Sequence, residues 1–417
     1  MNEFLTKHKI LDKCQFGFRK EHSTSHGISC LHESIIQNLE KKQICAALFI
    51  DLKSAFDTID PKILIRKLNH YGIKDNASRL LSSYLSDRKQ YVQSEGILSD
   101  VLSVLCGVPQ GSVLGPLLFI LYINDMARCT ELDTSLFADD AVLTYGCDSL
   151  KSLEKIVNKE VNKLHDWFIA NKLTLNLKKT KFMLFSNQRK KRNKYKKFKI
   201  NINNYCIKQV FQMEYLGVIL DSKLNWHDHI QYVSTKLSKA AGFIDKVRNK
   251  VPKHILMMLY HSIGASYIRY GIASWGSAKP SALKKLQTLQ NKIVGYITHS
   301  PQSPNISLHF KALGILTVDE IYTQEIAKFM YKYHNSSLPA AFDGYFRNIS
   351  HSHNTRLNSD NNLSYPKTRT NLGKSSLKYI GAKVWNDLDL TIQNAKTIEI
   401  FNDLVKKHLI AKRALSP

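Results

Sequence analysis

At 417 residues, with a 43% hydrophobic and 23% charged composition, the chain has room for roughly two or three globular domains and is too apolar to be disordered. Its 60 Lys and Arg against 34 Asp and Glu leave a net charge of +26, which points to a polyanionic partner, nucleic acid first and an acidic membrane surface second. Seven cysteines, odd in number and without a Cys-x-x-Cys pair, exclude a disulfide scaffold and read as reduced, mostly buried thiols of an intracellular protein.

The chain opens without a basic-then-apolar leader pattern. Gln15-Phe16-Gly17-Phe18-Arg19 precedes a helix whose apolar positions Ile28, Leu31, Ile35, Ile36 and Leu39 share one face. Ala46 to Ile50 is an apolar strand running directly into Asp51, with Asp57 and Asp60 close behind. Asp60 and Pro61 then start a helix that Gly72 stops, so Asp60 already has a capping role. A second helix over about 77–85 leads to a short strand pair near 91–104. The loop Gly107-Val108-Pro109-Gln110-Gly111-Ser112-Val113-Leu114-Gly115-Pro116 holds three glycines and two prolines and lacks the Gly-Lys-Ser/Thr of a phosphate loop. It runs into an apolar core helix over 117–123, far too short for a membrane span.

Phe137-Ala138-Asp139-Asp140 lies between two apolar strand segments, which reads as a hairpin with acids at its tip. Ser149 caps a long amphipathic helix reaching Phe168. A turn and strand follow over 173–185. The stretch 178–199 carries eleven Lys or Arg in twenty-two residues and no acid, a solvated loop that adds to the electrostatic footprint. Tyr215 to Asp221 reads as one short strand. Beyond residue 228 helices are expected over 230–247, 255–268, 283–297, 321–333 and 398–411, with loop over 348–376.

The two acidic strand ends carry the chemistry. A pair of carboxylates at a buried hairpin tip repel one another and lose hydration unless a cation sits there. A solvated Asp-Asp turn is the plain alternative, because turns favour Asp. If the two strands are neighbours, Asp51 and Asp139 face one point, and hard oxygens without His or Cys suit Mg²⁺. His227-x-His229 and His351-x-His353 lack further ligands at zinc spacing and read as surface histidines.

Taken together, Gln15 to Arg19, Phe49 to Asp57, Gly107 to Pro116 and Phe137 to Asp140 resemble the reverse transcriptases of non-LTR retrotransposons, the jockey-like branch in particular. Leu175 to Thr180, Tyr215 to Val218, Tyr270 to Gly276 and Trp385-Asn386 fit the later part of the same family in order. The resemblance implies an α+β right-hand polymerase with partial fingers, an antiparallel-sheet palm and a helical thumb and C-terminal region. Fingers and palm would occupy 1–221, the thumb 222–300, and a helical region of unassigned role 301–417. It further implies an RNA-directed DNA polymerase that adds deoxynucleotides to a primer 3′-OH, with an RNA template, a DNA primer and deoxynucleoside triphosphates as partners and no membrane.

By the same resemblance, Asp51 and Asp139 bind two Mg²⁺ about 4 Å apart, and the neighbouring Asp140 counts with them among the catalytic and metal-binding acids in a less direct role. Phe56 matches the gate that excludes a 2′-OH, its plain alternative being a core aromatic. Gln110 and Gly111 match the lining of the incoming nucleotide. Arg19 matches a triphosphate grip, or else is a loop arginine. Lys179 matches a general acid for pyrophosphate. Tyr215, Leu216 and Gly217 match the primer grip, and Asp57 is expected to orient its loop. Leu177 stands where the family has Pro, and the upstream fingers are missing, as expected for a 5′-truncated copy or a partial gene model. Three readings stand open: a working polymerase, a catalytically inactive nucleic-acid-binding remnant, and a metal-dependent nuclease, for which the Phe56 gate and the Gln110 loop would have no use. A nuclear location follows only from priming on chromosomal DNA.

Overall fold

A computed structural model describes residues 1–187, 198–301, 304–348 and 362–415. Residues 188–197 of the basic run, His351 and His353, and 349–361 of the expected loop lie outside the described residues. The chain divides into two compact units, Met1–Gly27 with Lys41–Val210, and Ile28–Glu40 with Phe211–Pro417. Helices α1 (Asn2–Lys7) and α2 (Thr24–Glu40) come first in the chain. Most of α2 belongs to the second unit.

The first unit is built on β1 (Ile44–Ile50), buried at all seven positions. A strand with no polar face must be flanked and covered, and β1 is central. Two short ladders follow it, β2 (Lys89–Gln90) with β5 (Leu102–Ser103) and β3 (Gln93–Ser94) with β4 (Ile97–Leu98). The main sheet comprises β6 (Asp133–Phe137), β7 (Asp140–Cys147), β8 (Lys181–Phe185), β9 (Ile200–Ile202) and β10 (Tyr205–Gln209) with β1. Its order is β6-β7-β1-β8-β10-β9. Among these described strands, β8 and β10 pair in parallel and the other neighbours antiparallel. β1 therefore neighbours β7, the condition for the acids to meet, in a register that sets Ile50 against Ala141.

Helix α3 (Pro61–His70) starts as expected: the Asp60 carboxylate accepts from the Lys62 and Ile63 amides at 2.8 and 3.0 Å. α4 (Asp75–Leu85) follows. α5 (Leu114–Tyr122) is buried continuously from Leu117 to Tyr122, the pattern of a helix inside the core. α6 (Leu150–Ala170) turns Leu153, Val157, Val161, Leu164 and Phe168 inward, and Ser149 caps it through the Ser152 amide. Full burial of each such side chain contributes about 1.5–3 kcal/mol.

The second unit begins with a hairpin, β11 (Gln212–Tyr215) and β12 (Val218–Asp221). This corrects the single strand expected over 215–221: Leu216 and Gly217 both have positive φ, +46° and +74°, and reverse the chain. Helix His227–Val247 packs along Pro280–Ile297, and Val318–His334 packs against Leu377–Asn386 and Ile398–Leu415. Two acids of α2 hold the C-terminal part. Glu33 accepts the Leu377 amide, and Glu40 accepts the Arg369 amide at 2.6 Å and the Thr370 hydroxyl. Gly373 lets the carboxylate sit close, since a Cβ there would stand 2.5 Å from the Glu40 carboxyl carbon and would displace that side chain.

The α+β class is what the residues form. Two smaller expectations fail. Only Cys14 and Cys45 of the seven cysteines are buried, while Cys106 and Cys206 are exposed. His229 is interior, 2% exposed against the Trp275 ring, with only His227 at the surface. Among the described residues no helix is long and apolar enough to cross a membrane.

Candidate active site

Phe137 pairs with Asp140, so Ala138 and Asp139 are the two turn residues of the β6–β7 hairpin. Ala138 takes φ +55°, an uncommon backbone for a residue with a Cβ, which needs outside support. Gln15 supplies it. Its side chain is wholly buried, and Oε1 accepts both the Ala138 amide at 3.1 Å and the Gly17 amide at 2.8 Å. The segment around Gln15 lies along β6 through Phe16 N–H to Leu136 C=O at 2.7 Å and Leu136 N–H to Cys14 C=O at 2.9 Å. Gly17 passes so near the turn that a Cβ would lie 2.3 Å from the Ala138 nitrogen. The Gln-Phe-Gly run is thus a brace for the acidic turn.

Asp51 leaves β1 one residue beyond the Ile50–Ala141 pair, at the level of Asp140. Its main chain is held from the other side. Asn176 N–H donates to the Asp51 carbonyl at 2.8 Å, the Asp51 amide donates to the buried Thr180 hydroxyl at 3.4 Å, and Lys53 N–H donates to the Thr174 carbonyl at 2.9 Å. Sequence reasoning had noted these stretches only as motifs. The bracing roles of Gln15, Asn176 and Thr180 were missed, and no local signal marks them, because each acts on a residue more than a hundred positions away.

The Asp140 carboxylate responds to the other two. Asp139 and Asp51 are half-buried, and Asp140 is the most exposed of the three by surface area although the protein packed around its carboxyl still removes part of its hydration. Partial burial first, then the charges of Asp139 and Asp51, push the Asp140 carboxyl up to about 6. Among the described residues no three Asp, Glu, His or Cys side chains converge closely enough to coordinate an ion as they stand. The donors are nevertheless all hard oxygens, and a divalent cation would relieve both the lost hydration and the neighbouring negative charge that raise Asp140. The residues fit such an ion.

Around the acids, Phe56 is half-buried, stacked on Phe119 at 4.3 Å and edge-on to Phe18 at 6.2 Å. Gln110 is exposed and its Nε2 donates to Asp57 at 2.7 Å, tying the two loops together. Gly107 is forced by close approach, a Cβ there lying 2.8 Å from the Asp57 Cα, whereas Gly111 needs only its φ of +79°. Arg19 folds back: its Nη1 donates to the carbonyls of Asp12 and Gln15 at 2.7 and 3.0 Å. Lys179 is exposed on the turn that holds Asp51. Asp51, Asp139, Asp140, Arg19, Phe56, Gln110, Gly111 and Lys179 all belong to the first unit. Tyr215, Leu216 and Gly217 belong to the second. There Tyr215 is buried, and the Tyr270 hydroxyl donates to the Leu216 carbonyl at 2.7 Å.

The sequence pattern of the family described as reverse transcriptase (RNA-dependent DNA polymerase) matches residues 1–220. Among curated proteins, the chain is similar to the probable RNA-directed DNA polymerase from transposon X-element of Drosophila melanogaster, 30% identical over 346 residues, 78% of this chain and 36% of the relative. It is likewise similar to that from transposon BS of the same organism, 28% identical over 79% of this chain and 37% of the relative. The RNA-directed DNA polymerase from mobile element jockey is 28% identical over 70% of this chain and 32% of its own length. The chain spans roughly a third of the length of these relatives. Among solved structures, apo telomerase from Candida tropicalis is similar with a TM-score of 0.42 and 12% identity, over 82% of this chain and 57% of that one. With its pattern matched over residues 1–220, the chain belongs to the reverse transcriptase family.

Proposed function

We propose that the chain is the polymerase part of an RNA-directed DNA polymerase of a jockey-like non-LTR retrotransposon, copying an RNA template by adding deoxynucleotides to a primer 3′-OH. The observation that supports this reading is the placement of Asp51 and the Asp139-Asp140 turn at the same end of the neighbouring strands β1 and β7, where burial and the two nearby carboxylates raise Asp140. Divalent-metal dependence is general to the family; the finer reading is two Mg²⁺ held by Asp51 and Asp139. When bound, such ions activate the 3′-OH and stabilise the departing pyrophosphate. The residues of this chain position the reaction. Gln15 and Thr180 fix the two acids, Phe56 presents its ring to the sugar, and Gln110 and Gly111 line the nucleotide. Arg19 orients the Gln15 loop, and its remaining guanidinium N–H groups serve the triphosphate. Lys179 is the candidate proton donor to pyrophosphate. In this reading 1–221 act as fingers and palm, 222–300 as thumb, with Tyr215 to Gly217 gripping the primer, and the site of action is nuclear.

The test is primer extension on an RNA template with Mg²⁺ and deoxynucleotides. The parent extends and Asp139→Ala does not, while RNA binding stays nearly unchanged. Extension by both chains refutes the assignment. A folded parent that binds RNA without extending it selects the inactive binding remnant instead. In the same assay Phe56→Val admits ribonucleotides that the parent rejects; equal discrimination by both removes Phe56 from the role of gate.

A further inference from the structure

In the second unit, helix His227–Val247 borders a cavity of about 300 Å³ lined by Gly217, His229, Tyr232, Ser266, Tyr267 and Tyr270. The His229 Nδ1 accepts the Ile219 amide at 3.3 Å. Burial pushes its pKa down to about 4, so the ring is neutral at physiological pH and its proton sits on Nε2. That nitrogen is buried and has no hydrogen-bond partner among the described residues. A buried donor left unmet is costly, and a site keeps one when something else supplies the acceptor.

The walls are aromatic and half open: Tyr232 and Tyr270 are 40% and 39% exposed. Tyr270 is held still by its bond to Leu216. The Lys236 ammonium stands over two of these rings, 5.3 Å from the Tyr232 ring centre and 5.7 Å from that of Tyr267. Further along the same helix, Ser238 and Lys239 face Lys285 and Thr288 across a second groove of about 620 Å³. Lys239 is seven residues from Tyr232, about 10 Å along the axis. Flat faces, a buried donor and an ammonium beside the Tyr232 and Tyr267 rings suit a planar ring that carries acceptors and a phosphate. A quaternary ammonium, the usual guest of a tyrosine cage, is opposed by Lys236. An acyl chain has no use for the His229 donor.

We propose that this cavity takes one unpaired nucleobase of a single-stranded nucleic acid. The base stacks on Tyr232 and Tyr267 and accepts from His229, with its phosphate on Lys236 and the following backbone along the Lys239–Lys285 groove. Only the ligand class rests on the polymerase reading; none of these residues belongs to the carboxylate site.

The experiment is fluorescence anisotropy of the full chain in EDTA, with labelled single-stranded oligo(dA) and the same strand carrying abasic sites. The parent prefers the base-bearing strand by about tenfold or more, the worth of one stacked base. Tyr232→Ala with Tyr267→Ala abolishes that preference, and Tyr267→Phe keeps it. Lys236→Gln weakens both strands alike and lowers the salt slope by about one. If the double variant melts early, Tyr232→Ala alone carries the test. Equal binding of both strands by the parent, or an undiminished preference in the alanine variants, overturns the proposal. A parent that extends primers without a base preference leaves the polymerase reading intact and ends this one; a preference without extension does the reverse.

Discussion

Glu33 gives the sharpest quantitative test of how the second unit is held. Its side chain is wholly buried, one oxygen accepting the Leu377 amide and Oε2 without a partner among the described residues. Burial raises the carboxyl from 4.5 to about 7, against a smaller opposing pull from the Leu377 amide and Lys378. A folded pKa above the unfolded one means that the folded state binds the proton more tightly. The penalty for charging Glu33 is therefore absent below 4.5, grows between 4.5 and 7, and is complete above. At about 1.4 kcal/mol per pH unit, it reaches roughly 3 kcal/mol. Glu33→Gln keeps an acceptor for Leu377 and cannot ionise. Urea unfolding of parent and variant, in a Trp167→Phe background, reports the second unit through the buried Trp226, Trp275 and Trp385. The variant's advantage grows by roughly 2 to 3 kcal/mol from about pH 5 to about pH 8. An advantage that is flat with pH, or that shrinks as pH rises, refutes the reasoning.

Gly17→Ala brings a Cβ to 2.3 Å from the Ala138 nitrogen, where backbone must move. It costs about 1–3 kcal/mol as overpacking and misplaces Asp139, so circular dichroism shows a folded chain while primer extension is lost; normal extension counts against the brace. Asp140, free at 3.8 and raised to about 6 in the fold, is protonated below that value and competes with a cation. Without metal, its contribution to stability falls as pH rises from 3.8 through 6. Mg²⁺ binding followed by calorimetry is about tenfold weaker near pH 5 than near pH 7.5, and Asp140→Asn removes this pH dependence; an unchanged dependence in that variant would place the titrating group elsewhere.

Much of the first unit was legible because its signals are local. An unbroken apolar strand ending in Asp51, a hairpin with acids at its tip, and the Asp60-Pro61 helix start need only a few neighbouring residues to be recognised. What was hidden is long-range polar pairing. Nothing near Gln15 says that its amide oxygen serves Ala138, and nothing near Glu33 or Glu40 announces partners at 377 and 369–370. The β11–β12 turn escaped because Leu216, a poor turn former, takes a left-handed backbone beside Gly217. His229 looked superficial because it follows His227 and Asp228 at a polar helix start, which gives no hint that Trp275 covers it.

The two acid clamps on α2 also bear on how the protein is made. Glu40 emerges from the ribosome some 330 residues before Thr370. At about 5–20 residues per second, it waits on the order of half a minute for its partner. The β1–β10 sheet lacks nothing beyond Val210 and can close during that interval. The second unit cannot, because its opening helix and its last third are stitched together across the whole intervening chain. A ribosome that stops short of residue 369 releases a finished sheet attached to a helix with two idle carboxylates, a ready substrate for quality control.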